Sequence, residues 1–292
     1  MTDSYADTKV LTIGGSRNIG YFSSLRLLGT SIPSVVNSTS FNVLSIEKGA
    51  TVTFLLRKPT VFDQDESIQD YIKLGKARLI KGDALVKSDV ANAWTEAAKG
   101  NGNPHVDILL FTVGGLPKFK LTKGFIIHPH NLVTQSLLNT LSTLPSTPQP
   151  KVITISSTGL TKKSHRNLPW ALKPFYAYFL AVPHRDKVGA ERAVAYCAGW
   201  GWDTEVEGEV GDDIMGEGWI GSDGLPKPGT FKNIVVVRPA LLTDGDAKGA
   251  YRVEEGDIRG WTVSRKDVAH FVVEGVLANW GQWCNKCVGI AY

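Results

Sequence analysis

The residues best suited to chemistry stand near the start of the chain, in the run Ile13-Gly14-Gly15-Ser16-Arg17-Asn18-Ile19-Gly20. Glycine meets two needs there: a tight reversal of the chain, and a close approach of bare backbone to a pyrophosphate with no Cβ in the way. A helical pattern follows at once, so its first N–H groups and its positive end would hold that anion. A second site of the same kind is spelled by Leu55-Leu56-Arg57-Lys58, a basic pair closing an apolar run. An acidic residue there would accept from ribose hydroxyls, whereas a basic one accommodates a 2′-phosphate, and Arg17 is placed to join Arg57 around it. The two sites together predict NADP(H). The Cys284-x-x-Cys287 pair is a third candidate, but a zinc site needs two further ligands, and no second CxxC or HxxxH supplies them. The pair also leads into the last residues of the chain, away from any strand–helix junction that a redox dithiol would occupy. It reads as packing, and no metal is expected.

The elements that must position these groups follow from the hydrophobic pattern. Short β-branched runs recur at Val10 to Ile13, Thr51 to Leu56, Ala77 to Ile80, Val106 to Val113, Val152 to Ile155 and Ile234 to Val237. Runs that are apolar on both faces predict buried parallel strands. Between them, Ile19 to Leu28, Val90 to Ala98, Leu132 to Leu141 and Val188 to Cys197 carry helical spacing. The alternation predicts an α/β fold, a doubly wound parallel sheet of the Rossmann kind, with ligands bound beyond the carboxyl ends of the strands. Residues 1–292 read as a single domain with surface insertions, and the part from about residue 200 onward is expected to supply the substrate side. Three stretches exceed ordinary connections: Thr30 to Lys48, Leu116 to Pro129, which is placed to cover the site, and the acidic, glycine-rich Trp200 to Lys232, which reads as a mobile excursion or lid.

At this point the sequence resembles the short-chain dehydrogenase/reductase superfamily. GGSRNIG is similar to that family's TGxxxGIG turn, with Gly14 and Gly20 matching the outer glycines, while Ile13 replaces the usual Thr and Asn18 the middle Gly. Asn tolerates left-handed backbone angles, so the turn survives. The resemblance implies cofactor contacts at Gly14, Ser16, Arg17, Asn18, Ile19, Gly20, Arg57 and Lys58. Asp83 and Ala84 match its adenine-side position, and Val113, Gly114 and Gly115 its passage beside the ribose. Arg238-Pro239-Ala240-Leu241 is similar to the Arg-Pro-Gly segment flanking the nicotinamide, which implies contacts from Pro239, Ala240 and Leu241. Ser264-Arg265-Lys266-Asp267-Val268-Ala269 resembles the family's opening of a late helix.

Typical members use a serine followed by Tyr-x-x-x-Lys. Ser156-Ser157 ends the fifth run, with Ser157 the closer match to the catalytic serine and Ser156 beside the cofactor. The second element is missing: Leu180 stands four residues after Tyr176, and Val182 four after Tyr178. The lysine finds its counterpart in Lys187, with Pro183 in the tyrosine position. That pattern is similar to the atypical group containing NmrA-like proteins and biliverdin reductase B. It leaves Ser157, Tyr176, Tyr178 and Lys187 as catalytic candidates, with His184 or water as other proton donors. The aromatic stretch Lys162 to Phe179, with Trp170, Phe175, Tyr176, Tyr178 and Phe179, would, if it faces the cleft, make an apolar wall suited to a ring-bearing or polyene-like substrate.

Bulk properties narrow the classes. The formal net charge is +4, with Lys and Arg scattered, which is no nucleic-acid footprint. No apolar run approaches the roughly 18 residues that span a bilayer. Met1 to Thr8 lacks the basic and apolar parts of a secretory signal, so a cytoplasmic protein is expected. The resulting expectation is an NADPH-dependent reductase of a small apolar carbonyl or conjugated double bond. An isomerase or lyase on the same scaffold, and an NADP(H)-sensing regulator, stay open, as does the oligomeric state.

Overall fold

Runs that bury both faces belong in the middle of a sheet, and the computed structural model puts all of them there except Ala77 to Ile80, which forms the sheet's half-buried edge strand. It describes residues 5–29, 49–100, 102–115, 118–120, 124–162, 165, 171, 179 and 181–292. Strands β1 (Lys9–Ile13), β2 (Thr51–Leu56), β3 (Ala77–Lys81) and β4 (Ile108–Phe111) are followed by a small hairpin, β5 (Lys118–Lys120) and β6 (Gly124–Ile126). Then come β7 (Lys151–Ile155), β8 (Ile234–Pro239), β9 (Leu241–Thr243), β10 (Arg252–Glu255), β11 (Thr262–Ser264) and β12 (Lys286–Ala291). The main sheet has eight strands in the order β10-β12-β8-β7-β4-β1-β2-β3. All neighbours in it run parallel except β10, which returns antiparallel to β12.

Helices cover both faces. They are α1 (Asn18–Leu28), α2 (Glu66–Lys73), α3 (Lys87–Ala98), α4 (Leu132–Leu141), α5 (Ala181–Ala198), α6 (Asp212–Met215), α7 (Arg265–His270) and α8 (Trp280–Trp283). One core joins β1 and β2 to α1 and α7 through Val10, Phe54, Leu27, Val268 and Phe271. The other joins the opposite face to α3, α4 and α5 through Leu11, Trp94, Leu137 and Val194. Alternate residues of one strand, Val10 and Leu11, thus serve opposite cores, the period of two that a buried strand requires. This is the doubly wound Rossmann arrangement that the sequence predicts.

The departures have physical causes. Helix α5 is described from Ala181, seven residues before the apolar spacing suggests, and takes in Pro183, His184, Arg185 and Asp186 ahead of the apolar run. Strand β12 lies inside the sheet between β8 and β10, and Cys287 is one of its residues. Both cysteines of the CxxC pair are free thiols, and burial pushes the Cys287 thiol up to about 12. The Trp200 to Lys232 segment is no mobile excursion: Val210, Ile214, Met215, Trp219 and Phe231 are buried in the second core. Its backbone is also tied down, with Gln135 donating to the Ile214 and Met215 carbonyls at 2.8 and 2.9 Å and Arg192 donating to Val210 at 2.7 Å. The acidic residues give the segment its charge, but the apolar ones decide its position. The Thr30 to Lys48 stretch lies outside the described residues. Among the described residues, no helix is long and apolar enough to cross a membrane.

Candidate functional site

The order of the sheet reverses between β1 and β4, and connections leaving those two strands diverge to opposite faces. A crevice must open beyond their carboxyl ends. It is a cleft of about 720 Å³, within the range of cofactor sites. The glycine turn forms its floor. Gly14 has φ +91, and a Cβ on it would lie 2.6 Å from the Thr112 carbonyl carbon and the Val113 nitrogen. A Cβ on Gly20 would strike the Thr112 hydroxyl. These two glycines therefore let the turn wedge against the end of β4, and no other residue fits without moving backbone. Asn18, in the place of the family's middle glycine, has φ 56, the left-handed angle that Asn tolerates. The cradle fits a dinucleotide's phosphates, since the turn and Arg17 face the cleft with backbone unobstructed.

Charge in the cleft is unevenly neutralised. Arg17, Arg57, Lys187 and Arg265 line it, against Asp83 and Asp244. Asp83 is occupied locally, accepting from the Leu85 N–H at 3.0 Å. Arg17 and Arg57 are exposed, and neither meets a carboxylate among the described residues. Arg265 pairs with Asp244 at 2.6 Å. A cleft with two uncommitted arginines beside a glycine turn is built for an anion.

Lys187 is held by α5, half-buried, and its ammonium donates to the Ser156 carbonyl at 2.8 Å. Burial pushes it down to about 8, a fall that Glu191 and Asp186 only partly reverse. Its neighbours fix the helix. Asp186 accepts from the Val133 and Thr134 N–H groups, each at 2.8 Å, so it caps the start of α4 from another helix. Burial raises the Asp186 carboxyl, opposed by those same bonds. Glu191 takes a two-pronged grip from Arg238 at 3.0 and 2.6 Å, and Arg238 also reaches Asp257 at 3.3 Å. Burial acts to lower the Arg238 pKa, but its two carboxylates outweigh that and raise it.

The far end of the cleft is apolar. Phe125 and Ile127 come from the β6 hairpin strand and the residues after it, Leu132 from α4, Pro183 from α5, and Leu241 and Leu242 from β9. Phe179 packs against Phe125 with ring centroids 5.9 Å apart. Of the aromatic stretch, Trp170, Phe175, Tyr176 and Tyr178 lie outside the described residues. His184 is pushed down to about 3, first by burial and then by the charges of Lys187 and His165. The shift favours the neutral imidazole, which keeps one ring N–H.

Of the residues singled out in the sequence, Gly14, Ser16, Arg17, Asn18, Ile19, Arg57, Asp83, Ala84, Val113, Gly114, Gly115, Lys187 and Leu241 come together around the cleft. Gly20 lies beneath the turn. Lys58 does not line the cleft and is exposed, while Pro239 and Ala240 are buried where β8 ends. Ser156 is buried below Lys187, and its hydroxyl has no hydrogen-bond partner among the described residues. The Ser157 hydroxyl donates to the Thr158 carbonyl at 3.2 Å and does not line the cleft. Sequence reasoning missed Thr112, Phe125, Ile127, Asp244 and the cleft position of Arg265. Arg265 had a signal, because it stands in the motif that opens α7. Asp244, an acid in a polar turn, had none.

No protein-family model matches the chain. A reductase of Aspergillus terreus, pytE, is 33% identical over 156 residues, 50% of this chain and 50% of that protein. The chain thus matches about half the length of that curated relative. A short-chain dehydrogenase/reductase from Veillonella parvula, solved in complex with NADP, superimposes with TM-score 0.56 at 11% identity, covering 98% of this chain and 94% of that one. ChuY from Escherichia coli O157:H7, an anaerobillin reductase, gives TM-score 0.56 at 18% identity, covering 97% of each. The fold is that of short-chain dehydrogenases/reductases and NAD(P)-binding Rossmann proteins.

Proposed function

We propose that the protein is an NADPH-dependent reductase of a small, rather apolar carbonyl or conjugated double bond. The observation that carries the reading is the division of one cleft along the sheet edge. Arg57 at β2 and the glycine turn at β1 make a cationic end, Lys187 reaches from α5 to the end of β7, and Leu241 and Leu242 beyond β8 make an apolar end. A dinucleotide with its adenosine phosphates at the first end would bring its reactive ring to the second. The reductase name of the Aspergillus relative and the NADP in the Veillonella structure support the same assignment.

In this reading the backbone of the glycine turn holds the diphosphate, and Arg57, with Arg17, takes the 2′-phosphate. When bound, reduced nicotinamide supplies a hydride to the substrate carbon. The chain orients the ring on Leu241, and Phe125, Ile127 and Pro183 keep water from it. Lys187 holds a proton at Nζ, near enough to neutrality to steady a ribose hydroxyl or to serve the oxygen that becomes a hydroxyl. Residues from about 200 onward supply Leu241 and Leu242 to the substrate side of the single domain.

The test is turnover. NADPH should be consumed with at least one member of a panel of apolar ketones, quinones and enones, and Lys187→Met should slow that reaction. Conversion of a panel compound with no change in nicotinamide absorbance would replace the reading with a non-redox enzyme. Unequal binding of NADP⁺ and NADPH with consumption of neither would replace it with a sensor.

A further inference from the structure

Arg265 is the one arginine of the cleft whose charge is already taken, and what takes it is weakly held. Its partner Asp244 has a side chain 86% exposed, while Arg265 itself is only 22% exposed. An ion pair with one side in water contributes little and exchanges readily. Asp244 opens a turn, residues 244–250, in which every residue is exposed. The front of that turn is pinned by two such pairs, Asp244 on Arg265 and Asp246 on Lys266, each at 2.6 Å. Its rear is fixed differently: the Lys248 and Gly249 N–H groups donate to the buried Asp267 at 2.8 and 3.0 Å. The turn is therefore a strap anchored firmly at one end and loosely at the end that borders the cleft.

The position of Arg265 says which ligand group it faces. Helix α7 packs along α1, and Arg26, in the last turn of α1, lies 3.9 Å from Glu274, in the segment that continues α7. The two helices run side by side in the same sense, so Arg265 at the start of α7 stands beside the start of α1 and its glycine turn. Arg57 lies on the other side of β1, at the end of β2. Both arginines line the cleft that the glycine turn borders, and in the cofactor reading Arg57 takes the 2′-phosphate, which leaves the diphosphate to Arg265.

We propose that Arg265 binds the cofactor's diphosphate and that Asp244 is a displaceable internal anion holding its place. The proposal rests on the cofactor reading above. Binding a dinucleotide then exchanges one partner of Arg265 for another and releases the front of the strap. The Asp244 carboxylate competes with the ligand, so removing its charge strengthens binding.

The experiment is calorimetric titration of wild-type protein, Asp244→Asn, Arg265→Gln and the double variant with NADPH, NADH and ADP-ribose, with melting temperatures as a folding control. Arg265→Gln is expected to weaken all three about tenfold, as loss of a charge-assisted contact does. Asp244→Asn is expected to tighten all three several-fold, and that gain should vanish in the Arg265→Gln background. Unchanged affinities in both single variants would overturn the proposal. So would weakening confined to NADPH, which would move Arg265 to the 2′-phosphate, or weakening that spares ADP-ribose, which would move it to the nicotinamide side. A wild type that binds none of the three overturns the cofactor reading itself, a result distinct from a binding wild type with an indifferent Arg265.

Discussion

Lys187 shows how one residue ties the site to pH. Its ammonium form is the one that can hold a ribose hydroxyl or give a proton, and burial lowers its pKa to about 8. We expect kcat/KM to be level below that pH and to fall as pH rises through it. Lys187→Arg, which keeps its charge, should move the fall to higher pH, and Lys187→Met should lower kcat/KM about a hundredfold at neutral pH. Stability carries the opposite sign. A lysine whose folded pKa is depressed penalises folding below that pKa, and the penalty is relieved as pH rises. Lys187→Met should therefore leave the melting temperature unchanged or raise it at pH 7, which separates lost activity from lost fold. Arg57 is tested by a difference: Arg57→Ala should weaken NADPH binding about tenfold or more by calorimetry and leave NADH nearly unaffected. Equal weakening of both would remove the argument for the 2′-phosphate.

Between residue and fold stands the junction of α4 and α5, where a fully buried Asp186 caps one helix from the other. Asp186→Ala leaves two N–H groups buried without an acceptor, and we expect a loss of about 3 kcal/mol in urea denaturation. At this scale the sequence was readable wherever one physical need dominated. The turn from Ile13 to Gly20 and the strands on either side could be read because a close approach excludes side chains and a central strand excludes polar ones. Helix α5 was placed but started late, since His184, Arg185 and Asp186, ahead of its apolar run, are polar and carry no helical hydrophobic spacing. Strand β12 escaped because Lys-Cys-Val-Gly-Ile-Ala, closing the chain, has no alternation to announce it. The β5–β6 hairpin escaped for a similar reason: three-residue strands carry too short a pattern, yet one of them delivers Phe125 to the cleft. The segment Arg238 to Leu241 was read as flanking the ligand, with contacts from Pro239, Ala240 and Leu241 and no task for Arg238. Its guanidinium reaches Glu191 and Asp257, a pairing of residues 47 and 19 positions apart that no local pattern encodes.

Across the whole molecule, the sheet places a cationic and an apolar surface on one cleft at the point where strand order reverses. Ligand binding there should stabilise the entire cooperative unit. NADPH at about a hundred times its dissociation constant is expected to add about 2.7 kcal/mol to the unfolding free energy. A melting curve that shifts only slightly under saturating ligand would mean that the cleft and the remainder of the sheet unfold separately. The acidic segment from 200 to 232 belongs to the same unit, since Trp219 and Phe231 pack in the core shared by α3, α4 and α5. The most direct test of the central claim is calorimetric titration of the protein with NADPH, NADP⁺, NADH and NAD⁺. Binding of all four at one site is expected, with the phosphorylated pair at least tenfold tighter. Binding of none, or of NADH as tightly as NADPH, would contradict that claim.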